Sequence, residues 1–265
     1  MNGSHPLRKS KLRSFAITAV FFAATVLTVF VFLTFCRVKT VNIENCVFSD
    51  RQTILEAGKV KVGMHIYALD KEKMEERIKE ASPYVSDVYI TRTGFTTLNI
   101  TLTEDTPRFY IEQNGNFVVL SETLRVLEIC HSQAELSGIS AAKIDLPAVK
   151  SATLRQTLAF EDETASYGEE CIEILEAISA SPLSGTLTYA DLSEKFDLRV
   201  TYKDKYDIRF GSPKELSQKL SLVAETIAYL EDPINRFSTA KGIIHASVIG
   251  ETSFEATGAL NDTVE

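Results

Sequence analysis

The chain has 265 residues, of which 45% are hydrophobic, 28 are basic and 36 are acidic, so its net charge is −8. This balance argues against nucleic-acid binding, which relies on Lys and Arg to neutralise phosphates, and against an exported part that lies on an anionic membrane surface. The length allows two small domains or one large one, with enough apolar residues for a real core.

An uncharged run of 22 residues, 15–36, follows a basic segment that contains Arg8, Lys9, Lys11 and Arg13. At ~1.5 Å per residue the run can cross a hydrocarbon core of ~30 Å. The positive-inside rule places the basic side in the cytosol. We therefore predict a cytosolic tail (1–14), a single transmembrane helix (15–36) and extracytoplasmic C-terminal domains.

A cleaved signal peptide is the main alternative to an uncleaved anchor. Its apolar region would span about 7–15 residues before a small-x-small cleavage site. Here the bulky side chains of Phe30, Phe32, Leu33 and Phe35 occupy the exit end of the run. Length and flanking residues therefore favour an uncleaved anchor.

Three cysteines are predicted to be exported: Cys46, Cys130 and Cys171. Their spacing matches neither a disulfide scaffold nor a zinc signature. Cys130 next to His131 suggests either a metal site or, more simply, a small buried side chain beside a surface histidine. The simpler interpretation is favoured, and no metal or cofactor is expected.

Residues 38–106 predict a compact unit with the order β-α-α-β-β and both helices on one face of the sheet. Hydrophobic alternation predicts a short strand at 38–43 and two strands after Pro83. Two helices lie between them. The first is predicted to start with a capping box of Ser49 and Gln52, and the second with Asp70 as its cap.

Residues 107–250 are predicted to be rich in β-strands, with a hairpin at Asn114-Gly115. The segment 131–167 shows no clear period. The later elements are a helix at 168–180, a hairpin whose first arm carries the alternating residues Phe196, Leu198 and Val200, a helix that starts at Ser212 and ends before Pro233, and a final strand at 242–250. The tail from Glu251 is predicted to be disordered or loosely attached.

The final strand, Gly242–Gly250, carries no charge and allows two interpretations. A central strand of this composition needs no further explanation. An edge strand of this composition would be an aggregation hazard unless a partner covered it. Strand order does not follow from the pattern, so both interpretations stay open.

No catalytic constellation is evident in the sequence. His65, His131 and His245 are scattered singly, and none lies in a known hydrolase or zinc-protease motif. Glycine-rich phosphate loops are also missing. The residues therefore do not indicate an enzyme.

The segment Arg92–Pro107, RTGFTTLNITLTEDTP, resembles a motif of the FtsQ/DivIB family of bacterial division proteins, with Phe95 where the family usually has Pro and Asp105 where it usually has Arg. A second similarity covers Ile208–Leu230, where Gly211 and Lys219 fall in place. In that family a POTRA domain follows a single membrane anchor, and a β-rich domain follows the POTRA domain.

The resemblance implies an α+β protein with a POTRA-like domain at 37–106, a β domain at 107–250 and a flexible tail at 251–265. It implies a non-catalytic divisome protein that binds FtsL- and FtsB/DivIC-type bitopic proteins and acts through them on the septal FtsW and penicillin-binding protein complex. Strand addition to the last strand is the expected mode. The residues implied are Ile243, Ile244, His245, Ala246, Ser247, Val248 and Ile249.

A protein of a different class could share this architecture, because fold alone does not fix function. The alternative is a membrane-anchored envelope enzyme or a signal-sensing ectodomain. Hydrolysis of peptidoglycan by the purified domains would favour the enzyme. Stable capture of a bitopic coiled-coil partner would favour the division protein.

The charge pattern around the apolar run makes a direct prediction about topology. A reporter that is active only outside the cytosol should work when it is fused to the C-terminus, because the four bases hold the N-terminus inside. Cells that carry the fusion provide the measurement, and the same reporter fused to the N-terminus provides the control. Recovery of the mature protein without residues 1–36 would contradict the prediction.

Overall fold

A computed structural model describes residues 6–257, which form two compact units divided between Glu104 and Asp105. The structure confirms the predicted class: an apolar N-terminal helix, a small α+β domain and a larger β-rich domain. Residues 1–5 of the predicted basic tail and residues 258–265 of the predicted flexible tail lie outside the described residues.

The first unit begins with helix α1, Pro6–Phe35. Its segment Phe15–Phe32 is long and apolar enough to cross a membrane, and none of that segment is buried within the protein. The helix ends one residue before Cys36, the last residue of the predicted span. Cys36 instead lies buried in the core of the domain that follows.

A three-stranded sheet with two helices follows α1, in the predicted order β-α-α-β-β. Its elements are β1 (Thr40–Glu44), α2 (Arg51–Gly58), a 3₁₀ turn (Ile66–Ala68), α3 (Lys71–Ala81), β2 (Val85–Thr93) and β3 (Thr97–Glu104). β3 is the central strand, parallel to β1 and antiparallel to β2. Its buried residues Leu98, Ile100 and Leu102 share one core with Met74 and Ile78 of α3, as their spacing predicted.

The N-terminal cap of α2 is one residue away from its predicted position. The Asp50 carboxylate accepts the Thr53 N–H at 2.8 Å and caps the helix. Ser49 lies one residue before the cap, and its hydroxyl pairs with the Ser82 hydroxyl at 2.6 Å. The cap of α3 is as predicted, since Asp70 accepts the Lys73 N–H.

The Glu104 carboxylate, at the end of β3, holds the loop that precedes α2. Its two oxygens accept the backbone N–H groups of Val47, Phe48 and Ser49 at 2.6, 2.8 and 3.0 Å. Burial alone would raise the pKa of Glu104, but these hydrogen bonds outweigh it and leave the pKa below its ordinary value. One ionised side chain therefore satisfies three donors that β1 and α2 leave unpaired.

The second unit contains a nine-stranded sheet, a two-stranded sheet and three helices. Its elements are β4 (Phe109–Gln113), β5 (Asn116–Leu120), β6 (Val126–Cys130), α4 (Gln133–Leu136), β7 (Ala142–Asp145), β8 (Val149–Ser151), β9 (Ala159–Phe160), α5 (Ala165–Ser179), β10 (Leu187–Asp191), β11 (Leu198–Tyr202), β12 (Tyr206–Gly211), α6 (Leu216–Leu230), β13 (Gly242–His245) and β14 (Ser253–Ala256). The large sheet has the order β14-β13-β12-β11-β10-β7-β4-β5-β6. The apolar faces of α5 and α6 share one core with it.

The predicted hairpin at Asn114-Gly115 is confirmed. Both residues have positive φ, 52° and 78°, and they join β4 to β5, which is the geometry that favours this dipeptide in two-residue hairpins. The prediction that Phe196 belongs to the alternating arm of the later hairpin was wrong: its side chain is 75% exposed. β11 begins only at Leu198, so the alternation of the strand does not extend back to Phe196.

Helix α6 starts at Leu216 and not at Ser212, as the proline pattern had predicted. Glu215 has a left-handed backbone, with φ of 53°, which separates the preceding turn from the helix. The Ser212 carbonyl accepts a hydrogen bond from the ammonium group of buried Lys219 at 2.9 Å. The turn therefore forms around this lysine, while the inward positions of the helix, such as Val223 and Ile227, are buried as predicted.

The final strand is shorter than predicted, and the described part of the predicted tail, residues 251–257, is not loosely attached. β13 ends at His245. The chain then reverses through a turn in which the Glu251 N–H donates a hydrogen bond to the Val248 carbonyl at 3.4 Å. Gly250 supplies the positive φ, 81°, that this reversal uses. Ser253–Ala256 then returns as β14 and pairs with β13.

Replacing Glu104 by Gln should destabilise the first domain by about 1–2 kcal/mol at pH 7, because hydrogen bonds to a charged acceptor weaken when the charge is lost. The folded pKa is depressed, so this contribution is present above the unfolded carboxyl pKa of ~4.3 and lost as the pH falls toward the folded value. Urea unfolding followed by circular dichroism should therefore show a difference in the free energy of unfolding between wild type and Glu104→Gln, and this difference should decrease below about pH 4.

Glu44→Gln is the matched control for this prediction. The Glu44 carboxylate lies on the neighbouring strand, 3.5 Å from the Thr101 hydroxyl. It should change stability by much less. The role of Glu104 would be contradicted if both substitutions changed the free energy of unfolding equally, or if the change caused by Glu104→Gln did not depend on pH.

Candidate functional site

The candidate partner interface lies at the β14 end of the nine-stranded sheet. β13 pairs in parallel with β12 on one side and antiparallel with β14 on the other. β13 is therefore an interior strand, which agrees with the first of the two interpretations left open for Gly242–Gly250. Within residues 6–257, β14 is the outermost strand at this end of the sheet.

The backbone of β13 is engaged on both sides. The Gly242 N–H donates to the Lys205 carbonyl at 3.1 Å, and the Ala246 N–H donates to the Arg209 carbonyl at 2.9 Å, both in the direction of β12. Because alternate residues of a strand direct their backbone groups to opposite sides, Ile243 and His245 face β14. Proline at position 246 would therefore damage the sheet itself.

The outward-directed backbone groups of β14 follow from the same alternation. The Thr257 N–H donates to the Lys241 carbonyl at 2.8 Å, which makes this a hydrogen-bonded pair. In the register of β13 and β14, Glu255 then also directs its backbone groups to β13. Phe254 and Ala256 direct their N–H and C=O groups to the open edge.

Side-chain packing fixes β14 in its place. The ring of Phe254 lies edge-on to Tyr206 and Phe237, at centroid distances of 6.0 and 5.5 Å. Gly242 permits this approach, because a Cβ atom there would come within 2.3 Å of the Glu255 carbonyl and 2.5 Å of the Phe254 ring. β14 is thus held by aromatic packing as well as by its ladder with β13.

Behind this edge, buried Lys219 ties α6 to β12. Its ammonium donates to the carbonyls of Phe210 and Ser212, each at 2.9 Å. Burial lowers the pKa of Lys219, and nearby Glu215 opposes that shift. The side chain is 2% exposed, so it supports the end of the sheet and is not itself accessible to a partner.

The seven residues predicted for partner binding divide by accessibility. Ile244 and Ala246 are buried in the core, with 0% and 1% exposure. Ile243 and His245 are half-buried, and the His245 ring lies 3.7 Å from the Glu255 carboxylate. Ser247, Val248 and Ile249 are exposed in the loop between β13 and β14.

The residues of β14 itself were not predicted from the sequence. The segment Thr252–Thr257 alternates between half-buried and exposed side chains, with Phe254 and Ala256 on the inner face. Only one large apolar residue marks this alternation in the sequence. A four-residue strand with so weak a pattern is recognised only when its neighbour is known.

The described residues, 6–257, contain no group of three or more His, Cys, Asp or Glu side chains placed to hold a metal ion. His131 accepts or donates a hydrogen bond at Asn116, 2.8 Å away, and neighbouring Cys130 is buried, as the simpler interpretation predicted. All four cysteine thiols are free. Burial raises the pKa of the Cys171 thiol to about 12, so it is not a thiolate nucleophile at neutral pH.

Comparison with known proteins relates both units to cell division. Residues 36–105 match the family model of the FtsQ-type POTRA domain. Cell division protein DivIB of Clostridium acetobutylicum is 24% identical over 195 residues, which cover 74% of this chain and 75% of that protein. Cell division protein DivIB of the Hall strain of Clostridium botulinum is 19% identical over 251 residues, covering 93% and 92% of the two chains.

The matched POTRA segment coincides with the first unit of the structure beyond α1, and the similarity to the DivIB proteins continues through the β-rich unit. The apolar helix α1 precedes both. Residues 36–105 are thus similar to an FtsQ-type POTRA domain, and the chain is similar over most of its length to DivIB cell-division proteins.

Proposed function

We propose that this cell-division protein is a non-catalytic scaffold of the divisome that binds FtsL- and FtsB/DivIC-type bitopic proteins. It adds a strand of the FtsB/DivIC-type partner to the open edge of β14. Through these partners it regulates the septal FtsW and penicillin-binding protein complex. Its N-terminus is cytoplasmic, its two domains are extracytoplasmic, and it concentrates at the division septum.

The observation that carries the proposal is the open edge of β14. Phe254 and Ala256 direct backbone donors and acceptors away from β13, and within residues 6–257 no strand pairs with them. An added strand would satisfy these groups through main-chain hydrogen bonds. A sheet edge with free donors and acceptors is a template for another chain.

The loop between β13 and β14 supplies exposed side chains beside this edge. Val248 is 58% exposed and Ile249 is 41% exposed, and Ser247 precedes them. Apolar side chains next to an open strand can give an added strand its specificity, while the ladder gives affinity. Ile244 and Ala246 contribute indirectly, because they hold β13 in the core and so position β14.

Replacing Ala256 by Pro tests strand addition directly. Proline removes the outward N–H of residue 256 and places its ring where the added strand would lie, while the bonds from β14 to β13 stay intact. We expect the affinity for the extracytoplasmic segment of the FtsB/DivIC-type protein of the same organism to fall about tenfold or more. Calorimetry gives the affinity, and circular dichroism shows that the domain stays folded.

Two further variants serve as controls. Ala256→Ser keeps the N–H group and should bind as the wild type does. Glu255→Pro removes an N–H that faces β13 and should instead lower the melting temperature. Normal binding by folded Ala256→Pro would show that partner recognition lies elsewhere.

A further inference from the structure

The end of the POTRA domain next to α1 exposes apolar side chains from two separate loops. One is the lysine loop, residues 59–65, where Val62 is 73% exposed. The other is the hairpin loop, residues 94–96, where Phe95 is 63% exposed. Exposed apolar groups that converge on one surface indicate an interaction site.

Backbone hydrogen bonds fix the lysine loop to the residues that directly follow α1. The Val38 N–H donates to the Met64 carbonyl at 2.8 Å, and the Gly63 N–H donates to the Val38 carbonyl at the same distance. The Ile66 N–H donates to the Cys36 carbonyl at 2.9 Å. The position of Val62 is therefore tied to the end of the membrane helix.

The hairpin loop is fixed to the same end of the domain. The Lys39 N–H donates to the Thr96 carbonyl at 2.8 Å, and β1 and β3 then run in parallel from Thr40 and Thr97. Phe95 is the residue that stands where the family usually has Pro. The two loops thus flank the short segment that links α1 to β1.

Aromatic packing connects this surface to the C-terminal end of the apolar segment of α1 and so indicates its depth relative to the bilayer. The ring of Tyr67 stacks on Phe32, with centroids 5.3 Å apart, and the Arg92 guanidinium carbon lies 5.4 Å from the Tyr67 centroid. Phe32 is the last residue of the segment Phe15–Phe32, which is long and apolar enough to cross a membrane, and α1 continues to Phe35. Tyr67 therefore lies at the boundary of the hydrocarbon region, where tyrosine is enriched in membrane proteins.

The charge of this surface differs from that of the whole chain. The segments 36–40, 59–68 and 93–97 contain four basic residues and no acidic residue, although the chain carries a net charge of −8. The basic residues are Arg37, Lys39, Lys59 and Lys61, and all four are exposed. Long basic side chains around an apolar centre match a bilayer surface, because the charged ends can contact lipid phosphates while the apolar groups contact the acyl chains beneath them.

We propose that this surface docks onto the phospholipid bilayer that α1 crosses, as a second membrane contact. The side chains of Val62 and Phe95 insert into the interfacial region of the bilayer. Tyr67 lies where this region meets the hydrocarbon core, and the basic side chains of the lysine loop contact lipid phosphates. The occupant is lipid and not a protein, because the surface is continuous with the membrane-spanning helix and carries the charge that complements phosphate. The contact fixes the orientation of the POTRA domain on the membrane.

The natural chain contains no tryptophan, so single substitutions report on one position each. We would place the full-length variants Val62→Trp, Phe95→Trp and Val47→Trp in phosphatidylcholine vesicles, with and without bromine atoms on the upper acyl chains. Val47 is the matched control, because its side chain is 77% exposed and it lies beyond the opposite end of β1. Phe95→Trp exchanges one aromatic ring for another and so adds little affinity of its own.

We expect Val62→Trp and Phe95→Trp to emit at shorter wavelength than Val47→Trp and to lose about half of their emission to brominated lipid, as a side chain ~5–10 Å below the surface would. Val47→Trp should keep its emission. Adding the anionic lipid phosphatidylglycerol should increase the quenching of Trp emission in the Val62→Trp variant. Introducing Lys59→Gln and Lys61→Gln together into that variant should remove the increase. Solvent-like emission from both loop positions, with no quenching, would overturn the proposal, even if partner binding at β14 were normal.

Discussion

The structure at the C-terminal end of the large sheet depends on one constraint: the backbone groups of the apolar strand β13 need hydrogen-bonded neighbours on both sides. β13, with the sequence Gly-Ile-Ile-His, has β12 on one side and β14 on the other. The chain supplies the second neighbour from its own C-terminal segment, so the apolar strand is covered and a more polar strand of equal length forms the edge. The position of the candidate interface follows from this arrangement.

Sequence patterns predicted the elements that repeat a clear period over many residues. The alternation of Leu98, Ile100 and Leu102 gave the central strand of the POTRA domain, and the helical spacing from Leu216 to Leu230 gave the inward face of α6. The helix starts were less accurate, because contacts distant in the sequence decide them. Asp50 caps α2 while Ser49 pairs with Ser82, and the left-handed backbone of Glu215 delays the start of α6 while the Ser212 carbonyl accepts a hydrogen bond from Lys219.

The candidate site could be predicted only in part for the same reason. The last apolar strand was recognised, but its neighbour β14 has four residues and a single large apolar side chain. The segment 131–167 likewise contains the short elements α4 and β7 to β9. β7 pairs with β4 and β10, which lie outside the segment, and the two- and three-residue strands β8 and β9 pair with each other. Local propensity says little about such segments, since tertiary pairing determines them.

Gly242 gives the end of the sheet a specific vulnerability. Any side chain at this position would meet the Glu255 carbonyl and the Phe254 ring, so β14 would have to move away. The backbone groups of Ile243 and His245 would then lose their partners, and an apolar strand would be open to a second copy of the protein. A single methyl group on this glycine would thus uncover β13 and make the protein prone to exchange strands with a second copy.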